Sequence, residues 1–154
     1  MNIYLDRVKE TDKDILYRLL EYSLYEESLH DENEMNNEGI FEYRHFDSYF
    51  NDDTRDAFFI KEEITNKLLG FVMINTYVQK VESGHSIAEF MVIPKYRKRH
   101  IGKSCAFKCF DMYKGNWEVS PSKNNDDVYN FWYKVVSEYT KNYKFEDGIF
   151  IFNR

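Results

Sequence analysis

The chain has 154 residues, 43% of them hydrophobic and 18% aromatic, which is the size of one ordinary domain with enough apolar surface for a substantial core. With 21 Lys and Arg against 27 Asp and Glu the formal charge is −6, which argues against a general nucleic-acid binder, because phosphate neutralisation needs a positive face over much of the surface. The two cysteines, Cys105 and Cys109, have neither zinc-site spacing nor disulfide-scaffold density, MNIYLDRVKE lacks a leader pattern, and the apolar run LLGFVMI (68–74) is too short to span a bilayer, so a reduced, cytoplasmic protein without a membrane partner is expected.

In chain order, NIYLDRV (2–8) alternates as a first strand. Thr11 then stands as a helix N-cap with Asp14 three residues on, and Ile15, Leu16, Leu19, Leu20 and Leu24 mark the buried stripe of that helix. HDENEMNNE (30–38) is an acidic loop, and FEYRHFDSYF (41–50) reads as a second, at least partly helical piece. DAFFIKEE (56–63), KLLGFVMINTYV (67–78) and SIAEFMVI (86–93) form an antiparallel meander that Pro94 ends. Ile101, Cys105, Ala106, Cys109, Phe110 and Tyr113 recur at helical spacing, with Gly115 at the stop position. NWEVS (116–120) is a short strand. NNDDVYNFWYKVVSEYT (124–140) is a helix capped by Asn124 or Asn125 and striped by Val128, Phe131, Trp132, Val135, Val136 and Tyr139, and KNYKFEDGIFIFNR (141–154) closes the chain as a hairpin. The expectation is one mixed α/β domain over residues 1–154, built on a central sheet.

VIPKYRKRHIGKSCAF (92–107) packs Lys95, Arg97, Lys98, Arg99, His100 and Lys103 into an otherwise acidic chain, between a strand and a helix. A crossover helix makes the strands on either side of it parallel, which puts this loop at the carboxyl end of its strand, where clefts form. Unpaired N–H groups at the helix start, the helix dipole, a bare Gly102 and the nearby cations together make a phosphate cradle. The plain alternative is a solvated basic turn. A nucleotide-hydrolase loop is excluded, because the glycine it requires five residues before Gly102-Lys103-Ser104 is Arg97.

Placed between strand and helix, these residues resemble the acyl-CoA motif of the GNAT superfamily of N-acetyltransferases. The V-x-P-x-[YF]-R and R-x-x-G-x-G pattern falls on Val92, Pro94, Tyr96, Arg97, His100 and Gly102, with His100 in place of the first glycine. Histidine tolerates positive φ better than most residues, so the turn can still form. Asn125, Val128, Phe131 and Trp132 resemble the family's later N-x-x-A-x-x-[LF]-Y signature, with Trp132 in place of tyrosine. The resemblance covers the whole element order. It implies a mostly antiparallel sheet with one splayed parallel pair and about four helices, and acetyl-CoA as cofactor. It further implies a cofactor site of Arg97, Lys98, Arg99, His100, Ile101, Gly102, Lys103, Ser104, Asn125 and Trp132, with a backbone amide near Met91 or Val92 facing the thioester.

Acetylating an amine requires a base for its proton and polarisation of the carbonyl. Glu89 interrupts the apolar strand and is the first candidate base; the alternative is a carboxylate paired with a lysine or turned to water. Glu118 is the reserve. Tyr129, three residues before Trp132, is the phenol that could protonate the leaving thiolate, although a thiol of pKa about 8.5 departs without help. By resemblance, Asp31, Glu32, Glu34 and Glu38 overhang the acceptor, which implies a small cationic amine; the plain alternative is a solvated acidic loop. The cysteines read as core, and His30, His45 and His85 lack metal-ligand spacing. The expected protein is an acetyltransferase, monomer or homodimer, with a non-catalytic acyl-CoA-binding regulatory domain as the competing reading.

Overall fold

Residues 1–154 are described by a computed structural model in which the alternating segments become seven strands. These are β1 (Ile3–Arg7), β2 (Arg55–Glu62), β3 (Leu68–Asn75), β4 (His85–Val92), β5 (Asn116–Val119), β6 (Tyr143–Glu146) and β7 (Ile149–Asn153). They form one sheet in the order β1-β2-β3-β4-β5-β7-β6, antiparallel throughout except for the β4–β5 pair, which a crossover helix joins. The helices are α1 (Lys13–Glu27), α2 (Ile101–Met112) and α3 (Asp126–Tyr139). This is the mixed α/β architecture expected from the sequence, with three α-helices. No helix is long and apolar enough to cross a membrane.

The sheet buries both faces. Phe58, Ile60, Val72 and Ile74 meet Ile101, Cys105, Ala106, Cys109 and Phe110 of α2 and Trp132, Val135 and Val136 of α3 on one side. On the other, Phe59, Phe71, Met73 and Met91 meet Leu16, Leu19, Leu20 and Leu24 of α1. Apolar residues therefore run almost without break through β2 and β3, as strands covered on both faces do.

Two local expectations are corrected. Residues 41–50 hold only a short 3-10 turn, Phe46–Phe50, because His45 adopts φ +62° and Phe41 is pulled onto α1 by donating its N–H to Glu21 Oε1 at 2.8 Å. Residue 11 does not cap α1; Asp12 occupies the cap position with no side-chain bond, and Ile15 is 37% exposed, off the buried stripe. At α3 the cap is Asn125, whose Oδ1 accepts the Val128 N–H at 3.2 Å.

Two irregularities of β4 position the site. It pairs with β5 only at His85, Ser86 and Ile87, so from Ala88 onward its edge on that side is open. It also bulges against β3: Ile87 faces Ile74, Glu89 faces Met73, and Ala88 is the extra residue. The bulge puts Ala88 and Glu89 both on the α1 face, while Phe90 and Val92 face α2 and α3.

Candidate active site

The basic loop leads from the open end of β4 into α2. Lys98 and His100 both take left-handed backbone conformations, φ +61° and +63°, and His100 occupies the α2 cap position. The glycine-to-histidine exchange is thus accommodated in the turn. The first bond into the helix runs from the Ser104 N–H to the His100 carbonyl at 3.0 Å, and the N–H groups of His100, Ile101, Gly102 and Lys103 donate to nothing in the protein. Four aligned donors at the positive end of a helix are an anion seat.

Four of the loop's five Lys and Arg residues divide into two pairs, Lys95 standing exposed outside both. Arg97 makes a bidentate bond to Glu26 of α1, at 2.8 and 2.9 Å, and donates from Nε to the Val92 carbonyl at 2.8 Å. Lys103 pairs with Glu138 of α3 at 3.1 Å. These two hold the loop against the helices on either side. Lys98 and Arg99 are exposed without a carboxylate partner, and Arg99 lies over the Tyr96 ring. The bareness of Gly102 also has a packing cause: a Cβ there would stand 2.9 Å from the Phe131 ring, so its absence lets α2 close on α3.

Strand alternation decides which amides face the gap. The Ile93 N–H donates to the Leu69 carbonyl at 2.8 Å, so the Met91 N–H, two residues back, also turns toward β3. Those of Phe90 and Val92 turn to the open side, as does the Val92 carbonyl that Arg97 holds. Of the two amides expected near the thioester, Val92 is the one the ladder leaves free, and Met91 is spent on β3.

On the α1 face, Glu89 lines a cavity of about 340 Å³ with Leu24, Glu27, Glu34, Phe41, Glu42 and Tyr43. Glu89 is partly buried and makes no hydrogen bond or ion pair; burial, reinforced by the charges of Glu27 and Asp31, raises its carboxyl to about 8. Glu27 is raised to about 7 by burial and then by Asp31 and Glu26. Burial likewise pushes up the phenols of Tyr43 and Tyr49, with Glu89 adding to both, so these neighbours stay neutral. With like charges nearby and no cation among the cavity's lining residues, Glu89 holds a proton more readily than an ordinary carboxylate does.

The other expected residues disperse. Glu118 is buried in β5 and accepts the backbone N–H groups of Gln79, Lys80 and Val81 at 2.8, 2.7 and 3.1 Å, so its carboxylate pins the segment between β3 and β4. Trp132 is core, edge-on to Phe90 and Phe131. Tyr129 stacks on Tyr133 and packs on Phe145 and Phe150 of the terminal hairpin, with no aromatic contact to the gap at Phe90. Asn125 is occupied as the α3 cap through Oδ1. Asp31, Glu32 and Glu34 border the cavity or its mouth, whereas Glu38 lines neither. Glu27, Glu42 and Tyr43 escaped the sequence reading. Glu27 had a signal, since it continues the Leu16-Leu20-Leu24 stripe as a charge on an apolar face; Glu42 and Tyr43 lie in irregular backbone with no period to mark them.

The chain thus combines a mixed sheet with one parted parallel pair, free N–H groups at the helix start that follows the parting, and a carboxylate-lined cavity on the α1 face. The sequence matches the Acetyltransferase (GNAT) family over residues 21–135, and the chain belongs to that family. A search of curated protein sequences finds no match. Among solved structures, an acetyltransferase from Thermus thermophilus superposes with a TM-score of 0.70 at 14% identity, over 100% of this chain and 98% of that one. Spermidine N-acetyltransferase from Vibrio cholerae in complex with CoA and spermine gives 0.65 at 9%, over 98% and 95%. An aminoglycoside acetyltransferase from an uncultured soil metagenomic sample, in complex with sisomicin, gives 0.60 at 19%, over 86% of each chain. At these identities the likeness is one of fold.

Proposed function

We propose that the protein transfers the acetyl group of acetyl-CoA to a primary amine of a small cationic acceptor. The observation that carries this reading is Glu89, a partly buried, unpaired carboxyl raised to about 8, in a cavity whose lining contains no Lys or Arg. Such a lining favours an ammonium group, and such a base can neutralise it.

The free N–H groups of His100, Ile101, Gly102 and Lys103, with the side chains of Lys98 and Arg99, fit the diphosphate of the cofactor, which when bound supplies the activated acyl carbon. Glu89 takes one proton from the ammonium group, which frees the nitrogen lone pair to form the new C–N bond. The Val92 N–H, on the open side of β4, is placed to stabilise negative charge on the acyl oxygen. As the C–S bond breaks, the nitrogen gives its second proton to water, water returns a proton to the departing thiolate, and the products are the neutral amide and free thiol, with Glu89 carrying the first proton.

The test is thiol release from acetyl-CoA against a panel of amines. Amine-dependent release is expected, falling by about 10²–10⁴ in Glu89→Gln. Heat of cofactor binding with no release for any amine would leave a binding domain, and no heat would remove the cofactor assignment as well.

A further inference from the structure

The cavity does not end at Glu34. Asn33, Glu34 and Phe41 are shared with an outer groove of about 550 Å³ that runs between the end of α1 and the 31–35 segment. Asp31 and Glu32 line the outer part beside Tyr25 and Met35, which are 66% and 44% exposed. Glu27, Glu42 and Glu89 line the inner part. Neither compartment contains a Lys or Arg, and none of these acids belongs to an ion pair. Two connected compartments, both acid-lined and both carrying apolar surface, stand in a row.

We infer that the acceptor is a linear aliphatic amine with two or more ammonium groups, one presented to Glu89 and the next held in the outer groove by Asp31, Glu32 and Glu34. The inference rests on the acetyl-transfer reading and specifies its substrate. The inner cavity, about ten water volumes, holds one short arm of such a molecule. Phe41 and Met35 offer apolar contact to methylene groups between the charges. Against a peptide, part of the segment's backbone is already spent: the N–H groups of Asn33, Asn36, Glu38, Gly39, Ile40 and Phe41 are satisfied internally, although those of Glu34 and Met35 are not. The charged side chains that line the two compartments are all acids.

The experiment compares butylamine, 1,4-diaminobutane, a linear triamine and a lysine-containing tripeptide as acceptors in the thiol-release assay. The kcat/KM value should rise by about fivefold or more for each added ammonium group, and the gain should shrink in 0.5 M salt. In the Asp31→Asn/Glu32→Gln variant the triamine-to-monoamine ratio of kcat/KM should fall about tenfold. Equal kcat/KM for butylamine and the triamine would overturn the inference while acetyl transfer stands, and preference for the tripeptide would replace it with a peptide substrate. With no release for any amine the acetyl-transfer reading fails, and calorimetry then decides the groove: triamine binding that weakens in the double variant sustains it, and no binding ends it.

Discussion

Glu27 and Glu89 meet in one cavity from opposite walls, the first from the last turn of α1 and the second from just past the bulge of β4, and the charge of Glu27 adds to burial in holding the Glu89 carboxyl at about 8. Catalysis needs Glu89 ionised, so kcat/KM should fall as pH drops below about 8. Glu27→Gln removes the like charge and should move that acidic limb to lower pH, with Asp31→Asn acting in the same direction. Profiles of wild type and variants with the same amine cancel the amine's own ionisation. A limb that stays in place would disconnect Glu27 from the base.

The same shift bears on stability. A carboxyl whose folded pKa lies above its unfolded value binds more protons in the folded state, so its contribution is fully present below about 4.5 and is lost as pH rises through about 8. Wild-type stability should therefore decline between about pH 5 and 8. Glu89→Gln should flatten the decline and melt several degrees above wild type at pH 8.5, with a smaller difference at pH 5. Thermal scans at the two pH values check it.

The loop cations should separate by assay. Replacing Lys98 and Arg99 with Ala should weaken CoA binding by about tenfold or more and flatten its salt dependence, with little change in melting temperature. Arg97→Ala should lower stability by about 1 kcal/mol, because the exposed bidentate pair to Glu26 and the bond to the Val92 carbonyl go together. Calorimetry and urea denaturation distinguish the two outcomes.

Tyr129→Phe should keep most of its turnover near pH 7, since the ring packs on Phe145 and Phe150 and water can protonate the thiolate. A hundredfold loss would make Tyr129 the acid.

Glu118→Gln should destabilise by about 1–3 kcal/mol, because one amide oxygen replaces two carboxylate oxygens in holding three backbone donors. The acidic limb of the rate profile should remain where it is. A displaced limb would return Glu118 to the candidate bases.

Strand and helix order was legible wherever burial imposed a period, as in the meander 56–93 and the stripes of α2 and α3. Residues 41–50 misled because Tyr43, Phe46, Tyr49 and Phe50 are spaced like a helical stripe, while the backbone around them is set by His45 and by the long-range bond from Phe41 to Glu21. Glu89 stood out as an acid among strand formers. Glu118 carried a similar signal and proved to be a loop anchor, because three N–H donors that sequence cannot reveal converge on it. Arg97 and Lys103 likewise look like free cations until Glu26 and Glu138, brought in by packing, claim them.

Ala88 acts as a parity switch for the strand that carries the base. A strand that counted evenly from Ile87 would send Glu89 into the apolar layer under α2 and α3 and turn Phe90 and Val92 toward the acidic cavity. One uncounted residue keeps acid and aromatic on their proper sides. Length changes at this point should therefore act as all-or-none, exchanging the whole catalytic face for its opposite, whereas side-chain changes that leave the bulge in place can act by degrees.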